Sequence, residues 1–437
     1  MQAVKVGLLG LGTVGGGTVS VLSRNAEEIA RRAGRGIQIS HAAAKEYNAD
    51  AITGLDKIET ISDDAIAVVN DPEVEIIIEL IGGYSPAKEL VLEAIENGKH
   101  VVTANKALIA VHGNEIFAAA QKKGVIVAFE AAVAGGIPII KAMREGLAAN
   151  QIQWAAGIIN GTCNFILTEM SEKGRDFNSV LKEAQELGYA EADPSFDVEG
   201  IDAAHKLTII GSIAFGIPLQ FEKTYIEGIT TIEQQDVVYA AELGYRIKHL
   251  GITRKTENGI EMRVHPTLIP HRRLIANVDG VMNAVLVKGD AVGPTLYYGA
   301  GAGSEPTASA VIADVIDIVR ALTSDPENRV PHLAFQPKEL SDTSILPMEE
   351  VETAYYLRMQ AIDRPGVLAE VTAILGDLGI SIEAILQKEP EEGASHVPII
   401  FLTQRVQEKN MNEAIEKIKN LDVIESDITR IRMEILK

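Results

Sequence analysis

A single cysteine, Cys163, stands in 437 residues. One thiol can form neither an intramolecular disulfide nor a multi-cysteine metal centre, and its solitude fits a reducing compartment. Positive charge is also scarce. Lys and Arg number 40 against 61 Asp and Glu, a net charge of −21. That deficit argues against nucleic acid or an anionic membrane surface as a partner, since both require clustered cations. No segment approaches the ~18 uninterrupted apolar residues of a membrane helix. The first ten residues lack the basic-then-apolar layout of a signal peptide. There is no long internal repeat and no low-complexity tract. What remains, 46% hydrophobic and 23% charged, is ordinary globular composition. Its length suits about three domains, and the expected location is the cytoplasm.

The first 135 residues alternate short β-rich runs with helical stretches. Strands are expected at 4–9, 37–44, 75–81, 101–103 and 125–129, with helices at 18–32 and 87–96. Continuous apolar strands interleaved with helices imply a parallel sheet covered on both faces. Residues 136–300 mix helical stretches (181–187, 203–215) with β-rich ones (225–229, 262–268, 281–287), which suggests an inserted α+β domain. A strongly periodic helix at 309–322, within a return segment 301–325, is expected to dock back on the first domain. Residues 336–352, polar and with two prolines, read as a linker. The remainder, 353–437, has the order βαββαβ of a ferredoxin-like split unit.

The chemistry begins at Gly10, Leu11, Gly12, Thr13, Val14 and Gly15. G-x-G-x-x-G alone is a weak signal. Here it follows a strand and opens a helix, the context of a Rossmann-type dinucleotide fingerprint. Gly10 permits the tight turn, Gly12 the approach of a pyrophosphate, and Gly15 the packing of helix on strand. At the end of the second strand no carboxylate stands where a ribose hydroxyl would seek one. Lys45 suits a 2′-phosphate, whereas Glu46 would suit the hydroxyl. Both readings stay open, and the cofactor is NADP(H) or NAD(H). Thr103 and Lys106 follow another strand, at a position that lines the crevice of such sheets. Lys106 there can bind phosphate, carry a proton or stay solvated.

The richest stretch is 184–206, AQELGYAEADPSFDVEGIDAAHK. Asp202 and Lys206 are spaced i, i+4 and share one helix face. The strongly apolar run that follows predicts burial, where a charged pair is costly without a purpose. A buried lysine changes its pKa readily, which suits proton transfer. Trp154 and His205 read as packing or helix-surface residues.

This stretch resembles the signature of homoserine dehydrogenases, A-x-x-x-G, an aromatic, a small residue, D-P-x-x-D, an aliphatic, x-G-x-D-x-x-x-K, and meets every fixed position from Ala184 to Lys206. The resemblance extends to Gly10–Gly15, to 103–106, to EAAVAGGIP at 130–138 and to 301–310. It implies interconversion of L-aspartate 4-semialdehyde and L-homoserine with NAD(P)H. It implies that Lys206 donates the proton, that Lys106 assists and touches the nicotinamide, and that Asp202 and Glu191 hold substrate. Gly188 would supply backbone contacts to substrate and cofactor, and Gly303 a cofactor contact. It further implies a structural sodium ion held by Glu130, Val133, Gly135 and Ile137. Rival readings are another dehydrogenase of a small amino acid and a sensor without turnover.

The C-terminal unit resembles an ACT domain through Asp363, Arg364, Pro365 and Gly366 and the βαββαβ order. Pro365 is expected at the first helical position. The resemblance implies threonine as effector and a homo-oligomer, dimer or tetramer, of the monofunctional form. A ligand-free dimerisation role is the other reading of this unit.

Overall fold

The run Val-Lys-Val-Gly-Leu-Leu forms β1 (Val4–Leu9) and is buried at every residue but Lys5, as a strand covered on both faces requires. β2 (Ile37–Ala43), β3 (Thr60–Ser62), β4 (Ile76–Glu79), β5 (His100–Thr103) and β6 (Val127–Ala128) complete its sheet. The spatial order is 3-2-1-4-5-6, and all pairings are parallel. This is the doubly wound arrangement, whose ligand crevice opens at the carboxyl ends of the strands where the order reverses, between β1 and β4. The structure, a computed structural model, describes residues 2–326, 329–388, 396–425 and 427–437. The expected helix at 18–32 is two helices, Thr13–Arg24 and Ala26–Ala33, which meet at Asn25. The returning helix begins at Ser304 and ends at Ala321. It packs so closely on the first helix that a Cβ at Gly17 would lie 2.3 Å from Ser304 Oγ.

The middle of the chain supplies β7 (Ile152–Ile158), β8 (Tyr225–Ile226), β9 (Tyr245–Lys255), β10 (Ile260–Pro270), β11 (Met282–Gly289) and β12 (Gly293–Ala300). The last part gives β13 (Glu352–Ile362), β14 (Ile382–Gln387), β15 (His396–Thr403), β16 (Val406–Gln407) and β17 (Thr429–Met433). With helices Val367–Asp377 and Glu408–Lys419, this last part is the βαββαβ unit plus the two-residue β16. These strands belong to one mixed sheet, in which β17 pairs in parallel with β10 through Thr267–Arg432 and Leu268–Met433.

Ion pairs beside this seam, buried except at the half-buried Glu227, join the two parts. Arg432 reaches Glu227 at 2.7 Å, Arg358 reaches Asp236 at 2.6 Å, and Arg263 meets Glu434. Removing Arg358 would leave the buried Asp236 carboxylate without its counter-charge, at a cost of roughly 3–5 kcal/mol. Residues 336–352 are no free tether. Ser341 N donates to Gly216 O, Ile260 N to Ser344 O and Leu346 N to Ile260 O, which pins residues 341–346 at the start of β10. Pro365 lies outside its helix, because Gly366 (φ 98°) takes the cap and Val367 the first turn.

The helix Ile201–Phe215 is buried on all sides, the mark of a core helix. Leu207 and Ile210 share one hydrophobic cluster with Ile109 and Ile116 of the helix Lys106–Lys123. That packing brings the first turns of two helices from different domains together, and the charged residues of both lie there.

Candidate active site

The cleft above the parallel sheet has a volume of about 320 Å³ and is lined by Val14, Leu80 to Tyr84, Ala104 to Ala107 and Phe196. The glycine loop reaches it through Val14. Gly10 has φ 97°, and a Cβ there would lie 2.7 Å from Leu80 O. A Cβ on Gly15 would lie 2.0 Å from Gly10 O, whereas one on Gly12 would meet nothing within 4 Å. Gly10 and Gly15 are therefore fixed by the fold, and Gly12 faces space that a ligand can fill. Gly12 also caps the helix Thr13–Arg24 without any side-chain acceptor, leaving the first-turn amides for an anion. These residues fit a dinucleotide pyrophosphate. Leu11 is buried beneath the loop, Thr13 is exposed and Val14 is half-buried.

β4 and β5 shape the opposite wall. Glu79, fully buried, accepts from the Thr103 hydroxyl at 2.6 Å and from the amides of Ile81 and Gly82. These bonds hold the 80–84 loop at the cleft. The Thr103 side chain is buried, and its hydroxyl donates to Glu79 and accepts from Asn105 N. Asn105 caps the next helix through Leu108 N, which places Lys106 in the first helical turn. A cation is disfavoured at a helix N-terminus, and Lys106 is offset by a carboxylate from across the domain boundary.

That carboxylate is Asp202. Its Oδ1 lies 3.1 Å from Lys106 Nζ, and its Oδ2 accepts from Lys206 Nζ at 2.7 Å. Lys206 Nζ also donates to Ile159 O at 2.7 Å. Asp202 is 4% exposed and Lys206 9%. Burial pushes the Asp202 carboxyl up, but the Lys206 and Lys106 ammoniums outweigh burial and hold it well below the usual carboxylate range. Burial lowers the Lys206 ammonium, with Asp202 opposing and Lys106 assisting. Lys106 is raised, first by the charge of Asp202. One lysine is thus primed to release a proton, while its neighbour stays charged.

The structure brings Lys106, Asp202 and Lys206 into contact. Glu191 is exposed at the rim, near enough for its charge to act on Lys106. Gly188 (φ 75°) is exposed, with open space where a Cβ would stand. Gly303 (φ 121°) caps the returning helix, and the adjacent Ser304 hydroxyl donates to Thr13 O. Lys45 and Glu46 are both exposed beyond the end of β2. Trp154 is packed at 6% exposure, and His205, at 1%, is no helix-surface residue. The His205 ring stacks on Phe221 at 4.2 Å and stands 3.4 Å from Tyr84 OH. Burial depresses its pKa to about 4. Cys163 is buried, and burial raises its thiol well above the ordinary value, so it is no nucleophile.

Sequence reasoning missed Glu79 and Asn160. Asn160 precedes Gly161 and Thr162 at the head of the helix Gly161–Lys173, which it caps. Asn before a helical run is a capping signal, but its second set of partners comes from residues 37 and 42 positions away.

Residues 130–137 form a tight loop, with Ala134 and Gly135 both at positive φ. The Glu130 carboxylate accepts from the amides of Ile140 and Lys141. Burial and the nearby Asp314 push its pKa to about 7, and burial raises Asp314 as well. Lys141 pairs with Asp314, at 3.0 Å. Lys141 also pairs with Asp317 at 2.7 Å, and the charge of Arg144 acts on Asp314 as well. Among the described residues, no group of three or more His, Cys, Asp or Glu could hold a metal.

With this geometry in place, comparison with known proteins is informative. Residues 10–130 match the NAD-binding domain model of homoserine dehydrogenase, 138–316 the homoserine dehydrogenase model, and 355–422 the ACT domain. The chain is 68% identical to a homoserine dehydrogenase of Pseudomonas aeruginosa over 434 residues, covering 99% of each. It is 58% identical to that of Neisseria gonorrhoeae, over the full length of both. The crystal structure of a homoserine dehydrogenase from Thiobacillus denitrificans superposes with a TM-score of 0.94, 66% identity and full coverage of both chains.

Proposed function

Because this chain belongs to the homoserine dehydrogenase family, oxidoreductases acting on a CH–OH group, we propose that Lys206 is the proton donor to the carbonyl oxygen of aspartate 4-semialdehyde and the acceptor in homoserine oxidation. When bound, a reduced nicotinamide supplies the hydride that turns the aldehyde carbon into an alcohol carbon. Negative charge then gathers on oxygen. An ammonium beside that oxygen stabilises the charge and quenches it by giving up a proton. Lys206 suits this step because burial loosens its proton while Asp202 orients the amine. Lys106 keeps its charge and assists proton transfer. Glu191, exposed at the rim, holds the substrate ammonium with Asp202, and Gly188 lends its backbone.

The observation that carries this reading is one buried carboxylate shared by two lysines from different domains. The glycine loop and the helix behind it would cradle the dinucleotide pyrophosphate, with Lys45 toward a 2′-phosphate and Gly303 against the cofactor, so NADP(H) is the favoured partner. Glu130, Val133, Gly135 and Ile137 would hold a sodium ion, whose charge the two buried carboxyls favour. The domain division is 1–135 with 301–325 for cofactor, 136–300 for substrate and dimerisation, and 353–437 for regulation. The C-terminal module binds threonine as inhibitor, and the chain works as a homo-oligomer, supported by the apolar Tyr298 exposed on β12 at the edge of the mixed sheet.

The deciding assay follows NADPH oxidation with aspartate 4-semialdehyde, then adds threonine to the same cuvette. No substrate-dependent oxidation sinks the catalytic reading. Oxidation that threonine leaves unchanged sinks the regulatory one.

A further inference from the structure

Asn160 ends β7's run into the core and begins the helix Gly161–Lys173. It is 3% exposed, and both of its polar atoms are used. Oδ1 accepts from Cys163 N at 2.8 Å, an ordinary helix cap. Nδ2 donates in two directions, to Asp197 Oδ1 at 2.7 Å and to Asp202 Oδ2 at 2.8 Å. A cap needs only the oxygen, as Ser or Asp at other helix starts shows. The amide nitrogen therefore has a separate task.

That task follows from its two partners. Asp197 and Asp202 are acids packed against one another, and like charges so placed push each other's protonation upward. Burial raises Asp197, and the charge of Asp202 adds to that rise. A cation between them would compete with Lys106 and Lys206 for Asp202. A neutral NH₂ satisfies one oxygen of each acid without adding charge. It also fixes the plane of the Asp202 carboxyl so that Oδ2 meets Lys206 while Oδ1 is left to Lys106. We propose that Asn160 is a positioning residue of the reaction, whose amide bridges Asp197 and Asp202 and thereby sets both the aim and the proton affinity of Lys206. This rests on Lys206 being the proton carrier.

The sign of its effect is fixed. Each donor to Asp202 shares its negative charge and weakens its pull on the Lys206 proton. Losing the Asn160 donor strengthens that pull, so Lys206 should hold its proton to higher pH. The other groups facing Lys206 are Lys106 from the neighbouring helix, Asp197 from the helix Ser195–Val198, the Cys163 thiol and the buried His205 ring of its own helix, with His249 of β9 behind Asp202. Of these only Asp197 also loses a donor with the substitution, and its unshielded charge pulls on the Lys206 proton in the same direction.

The test uses the full-length enzyme with Asn160→Ser and Asn160→Asp, both of which keep a cap acceptor. Homoserine oxidation is measured as kcat and kcat/KM from pH 6 to 11 beside thermal melting. In Asn160→Ser, kcat should fall at least tenfold, and the pH at which oxidation reaches half its maximum should move upward by half a unit or more. Asn160→Asp places a third carboxyl beside the other two and should move it further. Dinucleotide affinity should stay within twofold. If both variants lose activity while the profile keeps its midpoint, Asn160 is only a cap and the inference fails. A wild-type rate and profile overturn it equally. Lys206→Ala, measured alongside, separates the two levels. If that variant keeps its turnover, the proton-carrier reading falls. If it loses turnover while the Asn160 variants behave as wild type, only the role given to Asn160 falls.

Discussion

Replacing Asp202 by Asn removes one negative charge and almost no volume from the centre of the lysine cluster. Lys206 Nζ and Lys106 Nζ lie 2.7 Å and 3.1 Å from its two oxygens. A contact ion pair at an effective dielectric near 20 is worth about 4 kcal/mol, which corresponds to roughly three pKa units on the partner. Asn retains a carbonyl oxygen that can still accept from Lys206, so a displacement of roughly two units is the reasonable expectation. The direction follows from the charge. Burial and Lys106 lower the Lys206 ammonium and Asp202 raises it, and without Asp202 only the weaker charge of Asp197 still opposes the lowering influences. With Lys206 in the proposed role of proton donor, aldehyde reduction requires it protonated and fails as pH rises through its pKa. The alkaline limb of the reduction profile should therefore move to lower pH by about two units, a loss approaching 100-fold at a fixed pH above both limbs. Stopped-flow or steady-state NADPH oxidation from pH 5 to 10 reads this directly. A limb that stays in place while kcat falls would show that Lys206 is not the titrating group.

Other outcomes follow from the same contacts. Lys206→Ala should lower kcat by about 10²–10⁴ while the dinucleotide dissociation constant, followed by nicotinamide fluorescence, stays near the parent value. Gly12→Ala should leave the melting temperature alone and weaken dinucleotide binding. Gly15→Ala should destabilise the fold itself, since its Cβ would fall 2.0 Å from Gly10 O; equal melting points for the two would contradict this assignment of roles. Lys45→Glu should raise KM for NADPH more than for NADH, and an unchanged ratio would remove Lys45 from cofactor choice. Acid should weaken the fold early. Burial holds His100, His205 and His332 to about 4, so the unfolded chain takes up their protons first as pH falls below 6.5. Their contribution is complete above that pH and is lost down to about 4, roughly 3 kcal/mol at most for each. A urea midpoint that stays level from pH 6.5 to 4.5 would refute it.

The seam between β10 and β17 bears on how regulation can be studied. Cutting the chain near residue 350 would remove Arg358 and leave the buried Asp236 without its counter-charge, and would take Glu434 from Arg263 and Arg432 from Glu227. Loss of activity in such a fragment would report damage to the substrate domain as readily as loss of an effector site. Threonine sensitivity is therefore better tested in the intact chain.

Much of this protein was legible in the sequence because the relevant signals are local. The glycine loop, the parallel strands and the Asp202–Lys206 spacing are set within a few residues by backbone sterics and by the period of a helix. The βαββαβ order of the last 80 residues is equally local. Tertiary structure decided the rest. β7 and β9 lie inside a mixed sheet whose partners come from across the chain, so alternation along each strand announced them weakly. Three-residue β3 is too short to leave a pattern. Lys106 acquires its meaning only when two helices from separate domains pack and set Asp202 beside it. Asn160 can be read as a cap from its neighbours, yet its hold on Asp197 and Asp202 depends on segments about 40 residues distant. Sequence fixes which groups can exchange protons, because that is a property of side chains. Which of them does so is set by burial and by the charges packed around it, and those exist only once the chain has folded.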